Sequence, residues 1–272
     1  VGAVGLGSAA SARTSMRLRS QVSAGGQVSA RQMTESASAD DRIDPMDLSP
    51  KFAAVLFDCD GVLVDSESIT NGVLRGMLAE LGWNLSKEEA VARFVGKMLR
   101  DEADVIEAHT GFRIDDAWLT DFRRRRNVEL EASLQAIPGV VEAVRTIVPA
   151  YPGRLACASS ADRPKIELQL KKIGLYDVFE GRIFSGMELP KSKPAPDVYL
   201  AAADALGVDP AEAAVIEDSP TGVIAGRAAG SFVFGFCPPS PVHQRPEALL
   251  AVGADATFDS MTELPGLLTR EV

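Results

Sequence analysis

The chain carries four short, largely apolar runs, and the first three of them end at polar residues. The runs are Phe52–Phe57, Arg154–Ala158, Ala214–Ile216 and Ser231–Phe236. A continuous apolar run of this length is typical of a strand that is buried on both faces. We therefore predict four buried strands in one sheet.

Helical patterns lie between these runs. Pro164–Ile173 carries apolar residues at helical spacing, Val198–Leu206 is rich in alanine, and Thr221–Ala229 follows Ser219 and Pro220, a typical cap and first-turn proline. Strands that alternate with helices form a parallel sheet covered on both faces, and right-handed crossovers place the carboxyl ends of the strands at one edge. The crevice at that edge is where such sheets bind ligands.

Residues 67–136 interrupt this alternation, because helix follows helix there without a strand between them. The first helix has an apolar face made by Leu74, Met77, Leu78 and Leu81. Gly82 ends that helix, Ser86 opens a capping box, and Asp116–Leu134 is predicted as one long helix. The pattern predicts a helical domain inserted into an α/β core of residues 51–66 and 137–272.

Residues 1–50 differ from the rest of the chain in composition. Ser, Ala and Gly occupy 22 of these 50 positions, and no acidic residue precedes Glu35. A segment with so few periodic apolar residues is expected to be disordered. Its composition also fits an organelle transit peptide, and a mis-set gene start or a cloning remnant are alternative interpretations.

Charge and composition exclude several classes of function. The formal net charge of the 272 residues is −10, which disfavours nucleic-acid binding, and no apolar stretch is long enough to span a membrane. Three cysteines without a CxxC motif favour a reducing compartment, so we expect a cytoplasmic protein. We further expect a monomer or a weak dimer. Two histidines, 134 residues apart, exclude a histidine-rich zinc site.

Two aspartates follow the first predicted strand. Asp58 closes the strand, Asp60 returns to the same side two residues later, and Gly61 permits a tight turn. Two close carboxylates favour a hard cation with oxygen ligands. They also allow one group to act as the nucleophile while the other transfers a proton. An acidic loop that caps the next helix is the alternative interpretation.

Polar residues follow the other strands as well. Ser159 and Ser160 come after the second run, where a hydroxyl and backbone N–H groups can hold a phosphoryl oxygen. Lys193 lies in a proline-rich loop, and its ammonium group suits the charge of a phosphoryl group. Glu217 and Asp218 end the third run, where burial is costly unless the acids are paired or bind a metal.

These motifs, in this order, resemble those of the haloacid dehalogenase superfamily. The segment FDCDGVLVDSE (residues 57–67) resembles the first motif of that family, and Ser159 resembles the second. Lys193 within KSKPAPDVYL resembles the third motif, and Glu217-Asp218-Ser219 followed by Gly222 resembles the fourth. The resemblance covers about residues 52–262 and implies a Rossmann-like parallel sheet with an inserted helical cap.

The resemblance also implies a role for each motif residue. Asp58 would attack phosphorus and form an aspartyl-phosphate, and Asp60 would protonate the leaving oxygen and then activate water. Mg²⁺ would be held by the Asp58 carboxylate, the Asp60 backbone carbonyl and Asp218, with Glu217 in support. Ser159, Ser160 and Lys193 would contact the phosphoryl group. The implied activity is a Mg²⁺-dependent phosphatase for a small phosphorylated metabolite, a sugar phosphate or phospho-sugar acid.

Three positions separate the alternatives within this family. The dehalogenases lack the second aspartate of the first motif, so Asp60 argues for phosphoryl transfer. The similar β-phosphoglucomutases carry a histidine where this chain has Thr70, and tend to carry serine where it has Ala161. A sugar-phosphate mutase is therefore the second choice, and a non-catalytic phosphate-binding module is the third. The helical insert argues against a receiver domain.

The predicted cap carries four consecutive arginines, residues 123–126, on one helix. Consecutive side chains point about 100° apart, so only one or two of them can face the crevice. Arg126-Asn127 resembles a lysine-asparagine pair of the similar mutases. We expect Arg126 to reach the part of the substrate that does not react, while most of this basic run is solvated.

Overall fold

The computed structural model describes residues 48–94, 99–240 and 243–271. In this part of the chain the strands are β1 Leu48–Pro50, β2 Ala54–Phe57, β3 Val64–Asp65, β4 Gln135–Ala136, β5 Leu155–Ser159, β6 Ile183–Ser185, β7 Ala213–Glu217, β8 Phe232–Phe236, β9 Ala256–Phe258 and β10 Thr269–Glu271. The helices are α1 Glu67–Glu80, α2 Lys87–Phe94, α3 Ala103–Thr110, α4 Asp116–Ser133, α5 Val140–Ile147, α6 Arg163–Lys172, α7 Tyr176–Phe179, α8 Asp197–Leu206, α9 Pro220–Ala229, α10 Pro246–Ala251 and α11 Leu264–Leu268. The four predicted strands are confirmed as β2, β5, β7 and β8.

The described residues form a parallel sheet of six strands in the order β6-β5-β2-β7-β8-β9. The central strand β2 pairs with β5 on one side and with β7 on the other. The strands β5 and β6 are therefore added on one side of β2, and β7, β8 and β9 on the other. This reversal of strand order opens a crevice at the carboxyl ends of the strands. The α/β fold with a parallel sheet is confirmed.

Both faces of this sheet are buried, as the apolar runs predicted. Along β2, Val55 and Phe57 belong to one hydrophobic cluster, while Ala54 and Leu56 belong to the cluster on the opposite face. All four side chains are fully buried. This double burial explains why the strand is continuously apolar rather than alternating.

The sequence did not predict β6 and β9, the two outermost strands of the sheet. Each has only three residues, and each pairs with a neighbour on one side only. Such short segments offer too few positions for an apolar pattern to stand out from the loops around them.

The helical insert comprises α1 to α4 and has a hydrophobic cluster of its own. Leu74, Met77 and Leu78 of the predicted apolar face are buried there, together with Phe94 and Phe122 from later helices. The predicted capping box is confirmed before α2: Glu89 N donates to Ser86 Oγ at 3.1 Å, and Ser86 N donates to Glu89 at 2.8 Å.

The insert is joined to the sheet by two chain segments that pair with each other. β3 and β4 form a short antiparallel ladder in which Val64 pairs with Ala136 and Asp65 with Gln135. We propose that residues 67–136, between these strands, are the cap, and that residues 51–66 and 137–272 are the core.

The expected tail of residues 1–50 lies outside the described residues up to residue 47. Its last three residues, Leu48–Pro50, form β1, which pairs antiparallel with β10 near the end of the chain. The expectation of disorder is therefore wrong for these three residues. A three-residue strand paired with a distant segment leaves no periodic pattern in the local sequence.

Candidate active site

The residues singled out from the sequence meet at the carboxyl edge of the sheet. Asp58 directly follows β2, Ser159 ends β5 and Glu217 ends β7, and these three strands are neighbours. The Asp58 backbone N–H donates to the carbonyl of Ile216 at 3.0 Å, which fixes Asp58 against the end of β7. The predicted convergence on one edge is confirmed for these positions.

Lys193 connects the first and fourth motifs. Its Nζ donates to Asp58 Oδ1 at 2.6 Å, to Glu217 Oε1 at 2.7 Å and to the Ala158 carbonyl at 2.9 Å. The side chain is 4% exposed, so all three donors of the buried ammonium group have a protein acceptor. Lys193 therefore holds Asp58 in one orientation, and its positive charge compensates part of the negative charge of Asp58 and Glu217.

Glu217 is fully buried and supports its neighbours through both oxygens. Oε1 accepts from Lys193 and from the Tyr199 hydroxyl at 2.7 Å. Oε2 accepts from the backbone N–H groups of Asp218 and Ser219, each at 3.1 Å. Because protein donors occupy both of its oxygens, Glu217 holds Lys193 and the backbone after β7 in place.

Asp58, Glu217 and Asp218 form an acid cluster in which one oxygen of each residue lies within 4.8 Å of the others. Burial, together with the nearby Glu217 and Asp58, raises the pKa of Asp218 well above its usual value. Burial also raises the pKa of Asp58 to about 7, although Lys193 opposes the shift. Three acids that share one lysine would be stabilised by a bound cation.

Gly61 lets Asp218 approach the first motif. Its φ is +81°, a conformation that favours glycine, and a Cβ atom there would overlap the Asp218 carboxylate. The Gly61 N–H donates to the Val64 carbonyl at 2.8 Å, which closes the tight turn predicted from the sequence.

The Asp60 side chain is held apart from the acid cluster. Lys165 Nζ lies 2.8 Å from both carboxylate oxygens, Gln169 Nε2 donates to Oδ1 at 2.7 Å, and the Ser66 hydroxyl donates to the same oxygen. Burial alone would raise the pKa of Asp60, but Lys165 and these hydrogen bonds outweigh it and lower the pKa to about 2. Asp60 is therefore ionised.

Sequence reasoning missed Lys165 and Gln169. They lie four residues apart on α6, and both are buried beside the apolar residues Ile166 and Leu170. Positions i and i+4 share one helix face. A lysine and a glutamine on the apolar face of a predicted helix need polar partners when they are buried. This pattern could have predicted that an acidic side chain packs against α6.

Ser159 and Ser160 lie in the turn between β5 and α6. Ser159 Oγ accepts from the Ala161 N–H at 3.1 Å, and Ser160 Oγ accepts from Ser192 Oγ at 3.1 Å. Both serines line the same cavity as Asp58 and Lys193. They hold the turn in shape and present hydroxyl groups beside the acid cluster.

The cavity has a volume of about 330 Å³ and is enclosed by the sheet edge on one side and by the insert on the other. The insert contributes Thr70 and Asn71 from α1 and Phe122, Arg123 and Arg126 from α4. Sites of this size accept small metabolites.

Two of the four consecutive arginines line this cavity, in agreement with the helical geometry. Arg126 is one of them, but its Nη2 forms an ion pair with Asp162 at 2.9 Å, and its Nε donates to Asn127 at 3.1 Å. Arg125 pairs with Glu80 and with Asp121, away from the cavity.

The sequence model of the haloacid dehalogenase-like hydrolases matches residues 52–230 of this chain, about two thirds of its length. The chain belongs to this family. As a haloacid dehalogenase-like hydrolase it is similar to 6-phosphogluconate phosphatase of Escherichia coli K12, with 29% identity over 80% of this chain and 95% of that protein.

The chain is also similar to a second phosphatase and to a solved structure. Hexitol phosphatase B of Escherichia coli K12 is 31% identical over 78% of this chain and 93% of its own length. A crystal structure of a family hydrolase from Deinococcus radiodurans, with bound phosphate and sodium, is 33% identical. It covers 81% of this chain and 99% of that chain with a TM-score of 0.65.

No helix of the described residues is both long enough and apolar enough to cross a membrane.

Proposed function

We propose that the protein is a Mg²⁺-dependent phosphatase that hydrolyses a small phosphorylated metabolite through an aspartyl-phosphate on Asp58. One observation carries the proposal: Asp58 is oriented by Lys193 beside Glu217 and Asp218, at the base of a cavity of about 330 Å³. The similarity to two sugar-phosphate phosphatases supports this substrate class.

The acid cluster suits a hard divalent cation. Its donors are all carboxylate oxygens, and none of the hydrogen bonds among the described residues ends on the Asp218 carboxylate. The Asp58 and Asp218 carboxylates and the Asp60 backbone carbonyl would hold Mg²⁺, with Glu217 in support. When bound, Mg²⁺ supplies the positive charge that lets a carboxylate approach a phosphate dianion.

Asp58 is the nucleophile in this proposal. Lys193 holds Oδ1 at 2.6 Å, which leaves Oδ2 to attack phosphorus as the bond to the alcohol oxygen breaks. Once its carboxyl group has left Lys165 and taken up a proton from solvent, Asp60 donates that proton to the alcohol oxygen. Asp60 then accepts a proton from water, and the water attacks the aspartyl-phosphate to release phosphate and restore Asp58.

Hydrolysis is a better fit than a mutase reaction. The similar mutases carry a histidine where this chain has Thr70, and Thr70 lines the cavity with an Oγ1 atom that has no hydrogen-bond partner among the described residues. A threonine hydroxyl is not a proton acceptor at neutral pH, so this position does not replace the histidine.

The metal requirement is tested with p-nitrophenyl phosphate. We expect activity to vanish with EDTA and to return with Mg²⁺, and we expect Asp218→Asn to raise the Mg²⁺ concentration for half-maximal activity by about tenfold or more. Asp259→Asn is the matched control, because Asp259 follows β9 at the same sheet edge but lies outside the acid cluster. Full activity in metal-stripped enzyme would contradict the proposal.

A further inference from the structure

The cap presents one face of α4 to the cavity. Leu119, Phe122, Arg123 and Arg126 line the cavity, with the spacing i, i+3, i+4 and i+7 of a single helix face. Arg124 lies off this face, is largely exposed and pairs with Asp121 at 2.7 Å. Of the four consecutive arginines, only Arg123 and Arg126 therefore face the cavity.

Four of the five lysines and arginines that line the cavity have an acidic partner. These pairs are Arg100 with Asp116, Arg126 with Asp162, Lys165 with Asp60, and Lys193 with Asp58. Arg123 is the exception: within residues 48–94, 99–240 and 243–271 it forms no hydrogen bond and no ion pair. Residues 95–98, VGKM, contain no carboxylate that could pair with it.

The surroundings of Arg123 make this exception informative. The side chain is partly buried, and its neighbours on the helix face, Leu119 and Phe122, are apolar and buried. Arg126, three residues nearer to the end of α4 that leads back to the core through β4, contacts Asp162 of the core, whereas Arg123 lies about one helical turn farther from that end. A partly desolvated cation with no partner favours a ligand that brings an anion.

We propose that Arg123 binds a second anionic group of the substrate, a carboxylate or a second phosphate, at the end opposite the phosphoryl group that reacts. This inference rests on the proposed phosphatase function. The planar guanidinium group suits either oxyanion, because it can donate two parallel hydrogen bonds. The substrate is then a phosphorylated acid or a bisphosphate, and a phosphorylated polyol is a poor one.

The test compares substrates that differ only in the second anion. The carboxylate arm pairs 6-phosphogluconate with sorbitol 6-phosphate, and 3-phosphoglycerate with glycerol 3-phosphate. The phosphate arm pairs fructose 1,6-bisphosphate with fructose 6-phosphate. For each pair, the ratio of kcat/KM values is measured for the wild type, Arg123→Gln, Arg123→Lys and the control Arg124→Gln.

We expect the wild type to prefer the member with the second anionic group in at least one pair. Arg123→Gln should reduce that preference by about tenfold or more, which corresponds to about 1.4 kcal/mol, mainly through KM. The member without the second anionic group should be hydrolysed as before. Arg123→Lys should restore part of the preference, and Arg124→Gln should have no effect. The arm that responds identifies the anion.

Three results would overturn the inference while leaving the phosphatase proposal intact. They are a wild-type preference for the member without the second anionic group in every pair, an equal loss for both members in Arg123→Gln, and an unchanged ratio in that variant. Failure of the wild type to hydrolyse any phosphate ester, p-nitrophenyl phosphate included, would instead contradict the proposed function.

Discussion

Gly222 shows how closely the protein surrounds Glu217. A Cβ atom built at Gly222 would overlap the Glu217 carboxylate. Glu217 is fully buried and is fixed by Lys193 and Tyr199, so it cannot move aside. The glycine of the fourth motif is therefore required by space rather than by backbone conformation.

Substitution of Gly222 tests this interpretation of the packing. Gly222→Ala should reduce the free energy of unfolding by about 1–3 kcal/mol, because overpacking strains a site that cannot relax. The control is Gly76→Ala, since Gly76 lies within α1 and a Cβ there meets nothing within 4 Å. That change should stabilise the protein slightly. Urea unfolding of both variants measures the difference, and equal effects would contradict the packing argument.

Glu67 is a half-buried acid at the start of α1 that the proposed mechanism does not use. Burial, with the nearby Asp60 as a further cause, raises the pKa of Glu67 to about 7. The folded state therefore binds a proton that the unfolded chain releases at lower pH. The stability that this group contributes is fully present below its unfolded pKa and is lost as the pH rises toward 7.

Glu67→Gln removes this titration while keeping the shape of the side chain. Relative to the wild type, the variant should gain about 2 kcal/mol of stability between pH 5 and pH 8, less than the full shift because Glu67 is partly exposed to water. Urea unfolding of both proteins at the two pH values gives this difference. A difference that does not change with pH would show that Glu67 is ionised in the folded state throughout.

At the scale of elements, α4 of the cap is tied to the turn before α6 of the core. The pair between Arg126 and Asp162 is 2.9 Å long, and its side chains are 7% and 17% exposed. Asp162 also caps α6, because its side chain accepts from the Lys165 N–H. A pair this well buried differs from the surface pair between Arg145 and Asp177, whose side chains are 48% and 65% exposed.

Asp162→Asn keeps a good capping residue but leaves the buried Arg126 without its counter-charge. We expect a loss of about 2–3 kcal/mol in unfolding free energy, and partial recovery in the double variant with Arg126→Met. Asp177→Asn, which breaks the exposed pair, should cost less than about 1 kcal/mol. Urea unfolding measures both losses. If Asp162→Asn and Asp177→Asn lose the same stability, the charge of Arg126 is solvated and its pair with Asp162 does not stabilise the contact between cap and core.

The elements could be predicted from the sequence to different degrees. The extent of α4 followed from its pattern, and helical geometry limited how many of its arginines face the cavity. Which of them keeps a free charge depended on partners more than 30 residues away, such as Asp162 for Arg126. Local periodicity carries no information about such distant pairs.

At the scale of the whole molecule, the sequence predicted the parallel sheet and the meeting of four motifs at its carboxyl edge. These predictions rest on short-range patterns and on general rules of chain crossover. The pairing of β1 with β10 joins segments about 220 residues apart, and the environment of Asp60 depends on α6. Both arise from tertiary contacts, which leave no pattern in the local sequence.

The most direct test of the account is the hydrolysis of p-nitrophenyl phosphate by Asp58→Asn at saturating Mg²⁺. The amide is nearly the same shape as the carboxylate but cannot form an aspartyl-phosphate, so we expect kcat to fall at least about 10³-fold. The control is Asp204→Asn, an exposed position on α8 that should retain full activity. A folded Asp58→Asn protein with more than about a tenth of wild-type activity would contradict the assignment of Asp58 as the nucleophile.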